Sequence, residues 1–68
     1  MKIEIKDGTV INLNEIESFY KQVWSLGGIT IKTSSDQIYE ISYETKEERD
    51  RVYEWLCLEL DVKRYSEG

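Results

Sequence analysis

No histidine, proline or alanine occurs in these 68 residues, and cysteine and methionine occur once each. Each shortage removes a class of chemistry. Without histidine there is no ordinary Ser-His-Asp triad and no imidazole metal site. A single thiol, Cys57, rules out an internal disulfide and any zinc site built on cysteine pairs. Cys57 falls in the middle of a helical pattern, away from any helix N-terminus that would lower its pKa, and reads as a packed, inert thiol. No phosphate-binding loop motif occurs, and Gly27-Gly28 reads as a chain break rather than a phosphate cradle. Glu40, Glu44 and Glu59 are the only carboxylates singled out for acid–base work, and exposed carboxylates of this kind are commonplace. The expectation is a chain that is not an enzyme, with no cofactor, no metal and no small-molecule substrate.

Long apolar runs are also missing, so no stretch is long enough to span a bilayer. Met1-Lys2-Ile3-Glu4 opens a charged, alternating segment rather than an apolar signal region, which makes the cytoplasm the expected compartment. Positive charge is scarce as well. Nine Lys and Arg stand against 14 Asp and Glu, a net charge of −5. The deficit is spread along the chain. Residues 1–43 carry four Lys and six acids (−2), and residues 44–68 carry five basic residues and eight acids (−3). No basic patch emerges, which argues against direct nucleic-acid binding and against an anionic membrane surface. The abundance of Ile, Lys, Glu and Tyr suits an AT-rich genome, such as that of a low-GC bacterium or its phage.

What the chain does contain is a core supply and a clear strand-then-helix pattern. Eight isoleucines and eight aromatics (Phe19, Tyr20, Trp24, Tyr39, Tyr43, Tyr53, Trp55, Tyr65) must build the interior of one small domain, near the lower size limit for autonomous folding. Lys2–Lys6 alternates strictly, and Thr9–Leu13 returns with Thr9, Ile11 and Leu13 on one face. An even loop would pair Ile5 with Val10, whereas an odd one pairs Ile3 with Ile11 and gathers the apolar residues. The spacing therefore predicts a three-residue loop over Lys6-Asp7-Gly8, with Gly8 left-handed. Further on, Ile29 and Ile31 face one way, Ser34-Ser35-Asp36 makes a turn, and Tyr39, Ile41 and Tyr43 share a face on the return.

Residues 14–26 are open to two readings. Ile16, Phe19, Tyr20, Val23 and Leu26 follow helical spacing, with Asn14 and Glu17 as a capping box and Gly27 as a stop. Phe, Tyr, Val and Trp are nonetheless better strand formers. The run Val10–Phe19, followed by Ile29–Thr33, Ile38–Tyr43 and a capped helix, resembles the strand–strand–strand–helix half of small bacterial pleckstrin-homology-like proteins. More loosely, it resembles the flagellar FlbD-type proteins. That resemblance implies a strand over Glu15–Trp24, entered through a short bend. The resulting expectation is an α+β domain spanning residues 1–65, with Ser66–Gly68 as a disordered tail. Its antiparallel meander has four to five strands (about 2–6, 9–13, 16–24, 28–33 and 37–43), covered by one helix over about 46–63. The alternative is a ββαββα order with residues 15–26 helical.

The helix carries the functional reading. Thr45 and Glu48 form a capping box, and acids in the first turn suit the helix dipole. At about 100° per residue, Val52, Leu56 and Leu60 form one column with Tyr53 beside it. Trp55 and Val62 form a second, with Leu58 further round. Glu59 and Lys63 are placed for an i,i+4 pair. The apolar arc is wider than one small sheet needs. Trp55 either wraps over a sheet edge or joins Leu58 and Val62 as a partner-binding strip. The opposite face gathers Glu47, Asp50, Glu54 and Asp61, an acidic surface flanked by Arg51 and Arg64. Two functions follow. The first is a small non-enzymatic protein-interaction or regulatory module, binding a protein partner or associating with itself as a homodimer through the helix strip or an open sheet edge. The second is an acidic nucleic-acid mimic that inhibits a nucleic-acid-binding or defence protein.

Overall fold

The computed structural model describes residues 1–65; the tail expected over Ser66–Gly68 lies outside the described residues. The chain runs β1 (Lys2–Lys6), β2 (Thr9–Asn12), a 3₁₀ turn (Leu13–Glu15), β3 (Ile16–Lys21), β4 (Gly28–Thr33), β5 (Ile38–Ser42) and α1 (Lys46–Glu59). This is the expected α+β order, with residues 16–21 extended rather than helical. The meander, however, is divided: β1 and β2 form a two-stranded sheet, and β3-β4-β5 a separate three-stranded one, both antiparallel.

The division falls at the 3₁₀ turn. The Asn12 side chain accepts from the Asn14 amide at 3.0 Å and caps the turn, and Leu13 points into the core. Asn12, not Asn14, is thus the capping residue, and a single tight turn replaces the longer helix. The first hairpin has the expected alignment of Ile3 with Ile11, and Gly8 is left-handed at φ 82°. The odd residue sits elsewhere than predicted. Lys6 pairs with Thr9 across an Asp7-Gly8 turn, and the register shifts by a bulge between Glu4 and Lys6. A bulge changes the parity as an extra loop residue would, so the same side chains meet.

In the larger sheet Phe19, Ile31 and Tyr39 lie in one row, and Lys21, Ile29 and Ile41 in the next. Ile29, Ile31 and Ile41 from this face join Ile3, Ile5, Ile11 and Leu13 from the hairpin and Leu56 from α1 in one buried cluster. Val52, Tyr53 and Leu60 pack at its margin. The hairpin is tied to β5 by side chains: the Tyr43 hydroxyl donates to the Ile5 carbonyl at 2.7 Å, and the Lys6 ammonium donates to the Ser42 carbonyl.

The helix begins as expected and ends early. The Glu48 amide donates to Thr45 Oγ1 at 3.0 Å. The helix stops at Glu59, not near residue 63, because the chain turns back in a Schellman motif. The Val62 amide bonds to the Cys57 carbonyl at 3.0 Å and the Asp61 amide to the Leu58 carbonyl at 3.3 Å. Asp61 takes the left-handed position at φ 52°, where glycine is usual.

Candidate interaction surfaces

The early helix end rearranges the apolar strip read from the sequence. Trp55 and Leu58 remain on α1, while Asp61 and Val62 lie beyond it. Trp55 is 40% exposed and lies over β1, lining a small cleft with Glu4, Ile5, Arg51 and Val52. Val62 is 42% exposed and borders a different cleft, formed by Ile16, Phe19, Tyr53 and Leu60 on the β3 side. Leu58, at 80%, stands in solvent. The three residues therefore do not form one continuous column. Trp55 faces Glu4 and Ile5 of β1 across that cleft and keeps much of its surface open. Lys63 also falls outside the helix, so it is not placed as a helical i,i+4 partner of Glu59. Cys57 is buried.

The acidic face is largely occupied by its own cations. Asp50 contacts Lys21 at 3.2 Å, Lys46 at 3.3 Å and Arg49 at 2.8 Å. These hold its carboxyl well below the usual range, at about 2, the Arg49 hydrogen bond contributing most. Glu54 accepts two 2.8 Å bonds from Arg64. Asp61 is part of the helix stop, and Glu47 is exposed.

The sheet edges are guarded. The Tyr43 amide bonds to Gly27 and the Thr33 amide to Gln37, so strand alternation turns the peptide groups of Ile38, Glu40 and Ser42 away from β4. Along that free edge, Lys6 caps the Ser42 carbonyl and Glu40 puts a charge in the middle. Both are common ways of discouraging strand addition. On the other side, β3 is bulged between Ile16 and Ser18.

A second apolar surface is hidden in the sequence pattern, which extends β3 through residues 22–24. The strand ends at Lys21, and the loop that follows puts Val23 (95% exposed), Trp24 and Leu26 (76%) into solvent. Trp24 meets Tyr20 edge-on at 6.4 Å between ring centres. The loop is anchored at several points. Buried Arg49 donates to the Gly28 carbonyl at 3.1 Å and the Ser25 carbonyl at 3.5 Å. Buried Gln22 donates to Thr30 Oγ1 at 3.1 Å, and the Tyr43 amide donates to the Gly27 carbonyl at 2.7 Å. A β-carbon at Gly27 would collide with the Tyr43 carbonyl oxygen, and one at Gly28 with the Gln22 side chain. Those glycines are there for close approach as much as for turning. A signal did exist: no charged residue occurs from Gln22 to Ile31. Arg49 likewise precedes Val52, Tyr53 and Leu56 by three, four and seven positions, the spacing of a core-facing residue.

Among the described residues no group of three or more Cys, Asp or Glu is placed to hold a metal ion, and no helix is long and apolar enough to cross a membrane. No protein-family model, curated protein or solved structure matches the chain.

Proposed function

We propose that this chain is a small non-enzymatic protein-interaction module, working in a cytoplasm of bacterial or phage origin. The observation that carries the reading is the Gln22–Gly27 loop: apolar and free of charge at its tip, yet anchored by a buried arginine and two closely packed glycines. A preorganised apolar loop loses little entropy on binding, and exposed Trp is the residue type most enriched at binding hot spots. Trp55 and Leu58 offer a second apolar surface on α1. The guarded β5 edge favours side-chain docking over strand addition. The nucleic-acid-mimic alternative has less support, since Asp50 and Glu54 are engaged by Lys21, Lys46, Arg49 and Arg64.

The test is affinity capture from the native host with the unaltered chain, Trp24→Ala and Trp55→Ala, together with light scattering at high micromolar concentration. A captured protein, or a homodimer, that is lost in at least one variant supports the reading. A strict monomer that captures nothing would sink it.

A further inference from the structure

Four carboxylates without an ion-pair partner gather in one place. Glu4 and Asp7 from the first hairpin and Glu44 and Glu48 from the start of α1 surround a cleft of about 540 Å³. Among the described residues none of the four lies within ion-pair distance (4.0 Å) of a Lys or Arg. Lys6, the cation on the cleft wall, directs its ammonium to the Ser42 carbonyl, 5.7 Å from the centre of the Tyr43 ring. Burial, assisted by the charge of Glu48, pushes the Tyr43 hydroxyl up to about 12.

This acidic end runs directly into an apolar one. The smaller cleft beneath Trp55, about 280 Å³, shares Glu4, Ile5 and Val52 with the first. The seam between β1 and α1 is thus one groove. It has carboxylates without an ion-pair partner at the Glu44 end, and Ile5, Val52 and the half-open Trp55 ring at the other, which Arg51 also lines. Resting on the protein-interaction reading, we infer that this groove binds an extended segment of a partner protein carrying Lys or Arg next to an apolar side chain. The cation would sit among Glu4, Asp7, Glu44 and Glu48, and the apolar side chain against Trp55. Charge complementarity selects the occupant: a basic group gains from four carboxylates, whereas an acidic segment is repelled along most of the groove.

The probe is a blocked hexapeptide of alternating lysine and leucine, titrated into the ¹⁵N-labelled full chain, with the glutamate–leucine hexapeptide as control. Amide shifts should cluster at Glu4, Ile5, Glu44, Glu48, Val52 and Trp55, weaken with salt and be absent with the acidic peptide. The E44Q/E48Q double variant, altered at exposed positions, should bind roughly tenfold more weakly. Trp55→Ala should weaken binding by about tenfold or more. Absence of shifts at millimolar peptide, shifts centred on Trp24 and Leu26, or equal binding of the acidic peptide overturns the inference. So does a homodimer that buries the groove. A host partner lost with Trp24→Ala but retained by E44Q/E48Q and Trp55→Ala would refute the groove while leaving the protein-interaction reading intact.

Discussion

Replacing Asp61 with glycine should stabilise the fold by roughly 0.3–1 kcal/mol, and the sum can be worked from the helix stop. Asp61 holds φ 52°, a region in which a residue with a β-carbon is strained by about 1 kcal/mol or somewhat more, asparagine and aspartate being the most tolerant. Its carboxylate also stands at the negative end of the α1 dipole, an unfavourable placement of roughly 0.3–0.5 kcal/mol at an exposed site. Against these gains, glycine adds freedom to the unfolded chain, a cost of about 0.5–1 kcal/mol. The net gain should raise the thermal midpoint by a few degrees, a full 1 kcal/mol corresponding to about 4–8 °C for a domain of this size. Circular dichroism melts and urea titrations at low and high salt provide the assay. Asp61→Ala separates the contributions, since it removes the charge and keeps the backbone strain, and it should give no gain or a loss. An Asp61→Gly protein no more stable than the parent would refute the claim that Val62 is placed by a strained Schellman turn.

Gly27→Ala should destabilise by about 2–4 kcal/mol, because the new methyl meets the Tyr43 backbone and breaks its bond to Gly27. Gly28→Ala meets a movable side chain, Gln22, and should cost less; denaturant midpoints give the order directly. Tyr43→Phe should cost about 1–2 kcal/mol by leaving the Ile5 carbonyl without its donor. The folded pKa of Tyr43, about 12, lies above the ordinary 10, so its stabilisation is complete below pH 10 and is lost as the pH rises through 10 towards 12. The Phe variant should therefore show a flatter alkaline limb in urea midpoints. For Asp50 the sign is opposite. Its folded pKa of about 2 lies below the ordinary 3.8, so its contribution is present above pH 4 and fades as the pH falls towards 2. Asp50→Asn should remove that part of the acid sensitivity, read from denaturation at pH 2 to 6.

Period-2 and period-3.6 patterns were readable wherever one face is buried. Ile3 with Ile11, the shared face of Ile29 and Ile31 and the Thr45 cap follow from spacing, because a register slip would expose the isoleucines. Residues 14–26 carry both a helical spacing and β-forming side chains, and only the order of elements implied by the resemblance favours a strand there; the strand's end is overrun, since apolar Val23 and Trp24 extend the pattern past the point where backbone pairing stops. The helix end was overrun for a similar reason. Val62 continues the apolar period, and a left-handed Asp61 leaves no glycine to announce the stop. The acids of the helix face are plain in the sequence, but two of the cations that engage them are not: Lys21 comes from β3 and Arg64 from beyond the helix end, and only Lys46 lies at helical i,i+4 spacing from Asp50. The β1–α1 groove was the least legible feature. It joins residues 4–7 to residues 44–55 and exists only once the hairpin is folded against the helix.

The break between the two sheets gives the molecule a seam. No backbone ladder crosses it; the hairpin meets the rest through its isoleucine face, the Tyr43 phenol and the Lys6 ammonium. Amide exchange should then resolve two cooperative units, with residues 2–12 opening at lower free energy than β3–β5 and the helix. Opening that unit dismantles one wall of the groove. A bound segment would consequently act as a splint across the seam, slowing exchange in the hairpin most, in strands where most of the protected amides never touch it.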